Sequence, residues 1–361
     1  MSLYDRLADR MNQIASGANK NPALLELLQE LFAPEEAAVA IAMPLGTNPL
    51  EVIAERAGAT PEQVFPILER MADKGLLVAR FSRGVHKYNL QPLLPGIFEM
   101  QFMKGETTPA KMRMARLFDN YARASREQGG TRPSIKVTPP ARVIPIEKEI
   151  PSKIEVFAYE RVSEFINDEN TLGIATCYCR HHRDLVDKSC GAPKDMCMVF
   201  GPFAAFLIER GFARKMSTDE MQRTLDRAEK YGLIHVSDNV QERISFICNC
   251  CSCCCGLVGA LHKYDNPNSV AKSNFLASIE IDSCNGCEAC VARCQMDAIV
   301  LQDEVAQVKS DRCIGCAVCV SACPTGALSL TRRDVIVPTP ATLPDLHRTI
   351  FEDRMAARPL T

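Results

Sequence analysis

Eight cysteines between residues 284 and 323 carry the most explicit chemistry in the chain. They fall in two runs, Cys284, Cys287, Cys290 and Cys294, then Cys313, Cys316, Cys319 and Cys323. Each run reads C-x2-C-x2-C-x3-C, and Pro324 follows the second. A thiolate is a soft ligand, and sulfurs two residues apart can be aimed by one tight loop at a single metal centre. The fourth cysteine of each run lies too far along a short helix to reach that centre, so it serves the other one. The spacing therefore predicts two crossed sets. One is Cys284, Cys287, Cys290 and Cys323; the other is Cys313, Cys316, Cys319 and Cys294. Structural zinc ribbons use two CxxC pairs separated by a longer span. A doubled three-plus-one register points instead to two 4Fe–4S clusters.

The other ten cysteines form two groups. Cys177, Cys179, Cys190 and Cys197 read C-x-C-x10-C-x6-C. Four thiols within twenty-one residues suffice for one metal centre, a third 4Fe–4S cluster or in its place a structural zinc. Arg180, His181, His182 and Arg183 follow Cys179. Cations beside thiolates favour the ionised sulfur and raise a cluster's potential; as histidines alone, the pair reads equally as an exposed polar loop. The second group is Cys248, Cys250, Cys251, Cys253, Cys254 and Cys255, in the string CNCCSCCC. Six sulfurs in eight positions cannot all ligate one cube, and alternating side chains point apart. A fourth cluster, two neighbouring centres sharing ligands with the Cys177–Cys197 group, and a redox-active thiol or open metal position where a substrate binds are the solutions this spacing leaves.

The segment from about 275 to 331 resembles the bacterial-type two-4Fe–4S ferredoxins, on the doubled cysteine run and the proline after Cys323. Gln295 departs from that pattern, since the family usually has proline after the fourth cysteine of a run. Most of the chain is similar to a set of multi-cluster ferredoxin-like proteins of anaerobic bacteria, on its C-x-C-[RH] and CNCCxCCC segments before the terminal ferredoxin. That resemblance implies electron transfer and no particular reaction.

These cysteines need elements to hold them. Ala298–Leu301 and Ala327–Leu330 occupy matching places after the two runs, so strands 276–282 and 297–301 and their repeat form an internal duplication. Ile281, Ile299, Val308, Ile314 and Leu328 are the candidate apolar jacket of the clusters. Upstream, an apolar strand from Thr171 to Thr176 runs into Cys177, and a strand from Arg243 to Ile247 runs into Cys248. Helices are expected at 154–166, 202–210 and from the Ser217 cap to Tyr231.

Residues 1–100 lack cysteine. Leu24, Leu25, Leu27, Leu28 and Leu31 form a helical stripe, and helices are expected after Pro34, over 50–57 and over 61–74. Two strands, 76–80 and 85–90, flank Ser82-Arg83-Gly84. Helix, turn, helix and wing together resemble a winged helix-turn-helix domain. The helix in the recognition position leads with Glu62 and Gln63, and residues 1–100 hold 9 Lys+Arg against 12 Asp+Glu, net −3. Phosphate binding needs local cation density, so a protein-docking domain is the expectation. A basic amphipathic helix at 101–128, with Lys104, Lys111, Arg113, Arg116, Arg123 and Arg126, reads as a surface helix packed on its apolar side. Gly129-Gly130, Pro133, Pro139, Pro140, Pro145 and Pro151 mark a linker.

The expected organisation is an α+β multidomain chain. It divides into a winged-helix-like domain (1–100), a basic helix with a proline-rich linker (101–151), an α/β cysteine-rich middle domain (152–270), a dicluster ferredoxin domain (271–331) and a tail (332–361) that wraps a neighbour or another domain. A length of 361 residues, 47% hydrophobic and 24% charged residues and a formal charge of −2 suit a globular chain without a basic field for nucleic acid. Three or four oxidised clusters bring the charge to about −8 to −10, which favours basic partner surfaces. The start MSLYDRLADRMNQIASG has no apolar run, and no segment is long and apolar enough for a membrane span. Cysteines this crowded make poor disulfides, so a reduced, cytoplasmic, anaerobic setting is expected. There is no GxGxxG with a following acidic residue, hence no nucleotide site. The reading is an iron–sulfur electron-transfer protein, most simply a non-catalytic subunit or docking partner of a larger oxidoreductase. The alternatives are a redox-sensing DNA-binding regulator, or an enzyme centred on Cys248–Cys255.

Overall fold

The computed structural model describes residues 1–14, 16–128, 137–167, 171–336 and 338–357. The linker residues Gly129, Gly130 and Pro133 lie outside these. The chain folds into two compact units, each built from separated segments: Met1–Arg132, Ala175–Ser189 and Phe206–Arg214 in the first, Pro133–Ile174, Cys190–Ala205 and Lys215–Thr361 in the second.

The first unit begins with α1 (Leu3–Gln13), α2 (Pro22–Leu31) and α3 (Pro34–Ala42). Asn21 starts α2 because its side chain accepts the Leu24 N–H at 2.9 Å. Leu24, Leu27, Leu28 and Leu31 are buried along one stripe, each contributing about 1.5–3 kcal/mol by leaving water. A short strand β1 (Asn48–Pro49) leads into α4 (Leu50–Ala57), which Gly58 ends in a left-handed conformation. Then come α5 (Pro61–Asp73) and the hairpin β2 (Leu77–Ser82) and β3 (Val85–Leu90). β3 lies between β1 and β2. The cations of α5 are engaged: Arg70 pairs with Glu35 at 3.4 Å and Lys74 with the buried Glu36 at 2.6 Å.

After α6 (Phe98–Phe102), α7 (Pro109–Glu127) buries Met114, Leu117, Phe118 and Tyr121 and leaves Arg113, Arg116, Arg123 and Arg126 outward, while Lys111 is half-buried against Gln101 and Glu106. The first unit also contains α8 (Tyr178–Asp184), which starts on Cys177. His182 on α8 meets Phe98 and Phe102 edge-on, each with ring centroids 5.2 Å apart.

The second unit is built on a six-stranded sheet. Its strands are β4 (Ala141–Ile144), β5 (Leu172–Ala175), β6 (Cys197–Phe200), β7 (Arg214–Lys215), β8 (Ile234–Asp238) and β9 (Phe246–Cys250), in the order β4-β8-β9-β6-β5-β7. The helix α9 (Gly201–Glu209) divides its residues between the two units, and α10 (Thr218–Lys230) starts on a Ser217–Glu220 capping box. β8 and β9 are antiparallel, with Val236 opposite Cys248, His235 opposite Asn249 and Ile234 opposite Cys250. Period-two alternation therefore sends Cys248 and Cys250 to one face and Ile247 and Asn249 to the other.

Beyond α11 (Gly256–Tyr264) lies the cysteine-repeat domain. It consists of β10 (Phe275–Ile279), α12 (Ala289–Arg293), the hairpin β11 (Ile299–Gln302) and β12 (Val305–Val308), and β13 (Leu328–Arg332). β10 and β13 pair antiparallel from Phe275–Arg332 to Ile279–Leu328. One apolar core joins this domain to the sheet: Ala141, Val143, Ile234, Val236, Cys250 and Cys255 pack with Phe275, Ile299, Ile314 and Leu328. The other sheet face is covered by Leu346 and Ile350 of α13 (Leu343–Ala356), packed with Ile144, Met198, Met221 and Ile247. The tail thus packs on its own unit.

Three local expectations are corrected. Residues 154–166 form no α-helix, only a short 3-10 turn at Ala158–Glu160. Its buried Glu160 is held by Asn274 at 2.6 Å and Arg332 at 3.2 Å, so the segment follows the repeat domain rather than its own periodicity. The strand expected at 243–247 is shifted to Phe246–Cys250, which places two cysteines on it. Ile281 is 64% exposed and does not belong to the jacket.

Candidate metal centres

Two cavities lie inside the repeat domain. The first is lined by Cys284, Cys287, Cys290 and Cys323 with Ile279, Leu301, Ala306 and Leu328. The second is lined by Cys294, Cys313, Cys316 and Cys319 with Ala277, Met296, Ile299 and Val318. Each loop turns on a glycine between the first two cysteines of its run. Gly286 has φ +68°, and a Cβ there would stand 2.6 Å from the Glu304 carbonyl oxygen. Gly315 has φ +67°, and its Cβ would stand 2.1 Å from the Phe275 carbonyl oxygen. Only glycine allows both the left-handed turn and this approach.

The sulfurs sit in a medium that resists thiolate formation unless a cation is present. Burial pushes the Cys316 thiol up to about 12 against hydrogen bonds from the Val318 and Cys316 N–H groups, with the neighbouring Cys313 and Cys294 adding to the rise. Burial and the crowd of neighbouring sulfurs likewise raise Cys319, and burial raises Cys290. Cys323 goes the other way. Burial raises it, but hydrogen bonds from the Thr325 side chain and from the backbone of Leu328, Thr325 and Ala327 outweigh that and hold it below its ordinary value. Ala298 N–H donates to the Cys294 sulfur at 3.3 Å. Apolar walls, N–H donors aimed at sulfur and four cysteines per cavity suit a 4Fe–4S cluster in each.

The two surroundings differ. Cys287 is exposed, and Glu280, Asp282, Glu288, Asp303 and Glu304 near that end of the domain are exposed too. On the second run, Arg333 donates to the Cys313 carbonyl at 2.7 Å, and Cys313 and Cys319 are buried.

The structure redistributes the ten upstream cysteines. Cys190 is not grouped with Cys197. Its sulfur lies 3.9 Å from that of Cys251, and Cys190, Cys251, Cys253 and Cys254 all hold their sulfurs within 4.8 Å of one another. Cys253 and Cys254 are 3.7 Å apart. The Cys197 sulfur lies 4.0 Å from Cys248, and Cys250 interacts through its thiol with Cys248 and Cys255. The packing shows the same division: Cys250 and Cys255 belong to the core shared with the repeat domain, whereas Cys251 and Cys254 pack with Met196, Ala228 and Leu233.

Crowding raises these thiols. Cys254 is raised by its hydrogen bond with Cys251 and then by burial. Cys253 is pushed to about 11, mainly by burial. Cys177 and Cys179 sit at the start of α8 in the first unit, both half-buried. His181 and His182 form no exposed loop. Both are buried on α8, with Nε2 atoms 2.9 Å and 3.1 Å from the carbonyls of Glu106 and Ala115.

Spacing alone does not reveal the role of Gln295. Its side chain accepts the Ser252 N–H at 2.7 Å and donates to the Gly232 carbonyl. The residue after Cys294 thereby holds the middle of the CNCCSCCC loop, a tie that proline could not make.

Cluster-lining cysteines on a duplicated strand–loop–strand frame define a ferredoxin-like iron–sulfur domain. Residues 277–330 match the family model of the 4Fe-4S dicluster domain. No curated protein and no solved structure matches the chain. Among the described residues, no helix is long and apolar enough to cross a membrane.

Proposed function

We propose that this protein is an electron carrier that passes single electrons through two 4Fe–4S clusters to or from a larger redox enzyme. One further cluster, drawing on Cys197, Cys248, Cys250 and Cys255, extends the path into the middle of the chain. The observation that carries the reading is the pair of four-cysteine cavities in the segment that matches the dicluster family. Bound clusters supply one-electron reduction and reoxidation.

The chain's own residues do the rest. Ile299, Ile314 and Leu328 keep water from the sulfurs. Hydrogen bonds to Cys323 and Cys294 stabilise sulfur charge. Exposed Cys287 gives an edge where a partner can approach, and the acids around it suit a basic partner surface. Support for a middle cluster comes from the core that Cys250 and Cys255 share with the dicluster domain, and from the sulfurs of Cys197, Cys248, Cys250 and Cys255, no three of which converge within 4.8 Å among the described residues. The N-terminal helices and three-stranded sheet serve protein docking rather than DNA, in keeping with Arg70 and Lys74 being tied to Glu35 and Glu36.

The test is iron and acid-labile sulfide in anaerobically purified full-length protein, with electron paramagnetic resonance after dithionite reduction. The expected content is about twelve of each per chain, eight from the dicluster domain and four from the third centre. Eight iron would remove the middle cluster from the path. Protein without labile sulfide, or tight salt-dependent binding of duplex DNA, would overturn the carrier reading.

A further inference from the structure

We infer that Cys190, Cys251, Cys253 and Cys254 hold a single zinc ion, so that this site is a structural clip and not a station for electrons. Four thiolates around one tetrahedral ion with metal–sulfur bonds of about 2.3 Å stand about 3.8 Å apart. Around a cubane, whose four irons each stand out from the cube centre, the same sulfurs are spread to about 6 Å. The observed sulfurs converge to within 4.8 Å, with pairs at 3.7 Å and 3.9 Å.

The dicluster domain is the internal comparison. Among the described residues no three of its eight sulfurs converge that closely; they line two separate cavities instead. Cys197 and Cys248 come within 4.0 Å as a pair, but among the described residues no third sulfur joins them within 4.8 Å, so only the Cys190 set converges as a whole on a point too small for a cube. Thiolate softness and the rise in affinity from Fe²⁺ to Zn²⁺ select zinc for that set.

The chain around the site suits such a clip. Cys251, Cys253 and Cys254 come from one turn immediately before α11, and Cys190 arrives from a loop some sixty residues earlier. Four sulfurs close a tetrahedron and leave no open position for substrate. The ion would pin the loop through Cys190 to the turn that links Cys248 and Cys250 on β9 to Cys255 at the start of α11. A redox-inert ion there positions the neighbouring cysteines without exchanging electrons.

The experiment compares full-length wild type with Cys190→Ala, both purified anaerobically with zinc and iron supplied, by metal analysis and zinc K-edge absorption. The expected wild type carries one zinc per chain with four sulfur neighbours at about 2.3 Å. The variant loses that zinc and keeps its iron and sulfide. Wild type with less than about a fifth of an equivalent of zinc overturns the inference on its own, whether or not the variant folds. Wild type without that zinc whose variant loses about four iron and four sulfide assigns a cubane to these residues. In either case the iron of the dicluster domain remains, so the electron-carrier reading stands or falls separately.

Discussion

At position 315 a methyl group has nowhere to go. Its Cβ would lie 2.1 Å from one backbone oxygen and 2.2 Å from the Ser273 hydroxyl, at a positive φ. Gly315→Ala is expected to cost more than about 3 kcal/mol and to empty the second cavity of iron. Gly326→Ala, at φ +69° with nothing within 4 Å, is expected to cost about 1 kcal/mol of backbone strain and keep its iron. Iron content and thermal unfolding of the two variants, side by side, check this.

A second residue carries a pH signature. Asp238 is buried and accepts from the Ser245 N–H at 2.5 Å and hydroxyl at 2.7 Å. Burial pushes its carboxyl up to about 6 from an ordinary 3.8, with the Cys248 thiolate adding and the Ser245 donors opposing. The folded value lies above the unfolded one, so the folded state holds the proton more tightly. The contribution is complete below the unfolded value and is lost as pH rises through about 6. Between pH 7.5 and 5.5 this group should raise the denaturation midpoint as acid is added. Asp238→Asn should remove that slope, as read from anaerobic urea titrations at several pH values.

The elements show where the sequence could be read and where it could not. Helices α2, α4, α5 and α10 announce themselves through local signals, a leucine stripe, Gly58, Thr60 and the Ser217 capping box, and each starts and stops close to its expected place. β9 does not. Its apolar run suggests a strand ending before the cysteines, yet pairing of His235 with Asn249 carries the ladder to Cys250. Asn249 is buried with donors and acceptors met by Met196 and His235, contacts only tertiary structure provides. The segment 154–166 has helical periodicity but is captured by Arg332 and Asn274 through Glu160.

The dicluster cysteines were legible because their spacing is local. Cys190 and Cys251 meet across some sixty residues, so spacing offers the sharing of ligands between the two upstream groups only as one solution among several and does not say which sulfurs meet. Gln295 was visible as an oddity and its purpose was not. Gln295→Ala leaves the Ser252 N–H and Gly232 carbonyl without that partner, at a cost of about 1–3 kcal/mol. Iron content should be unchanged because no sulfur ligand is touched, a contrast that metal analysis and chemical denaturation can resolve.

For the whole molecule, the consequential fact is that the second unit has one core where a modular reading would give it two. Phe275, Ile314 and Leu328 pack in the same cluster as Val143, Ile234 and Val236. Stripping iron under anaerobic chelation should therefore raise amide exchange not only in 275–332 but also in β4, β8 and β9, while α1–α5 of the first unit keep their protection. Hydrogen exchange with mass spectrometry reads both. Loss confined to 275–332 would contradict the shared core.

The β10–β13 pairing bears on protein engineering. Because Phe275 faces Arg332 across the ladder, the two chain ends of the dicluster segment emerge side by side. By its ends it is a cassette that could be spliced into a host loop without stretching the host. By its packing it is not, since a graft of 275–332 alone would leave the surface that met Val143 and Val236 open to solvent. A working chimera has to carry over the receiving strands, or repaint that face with polar residues.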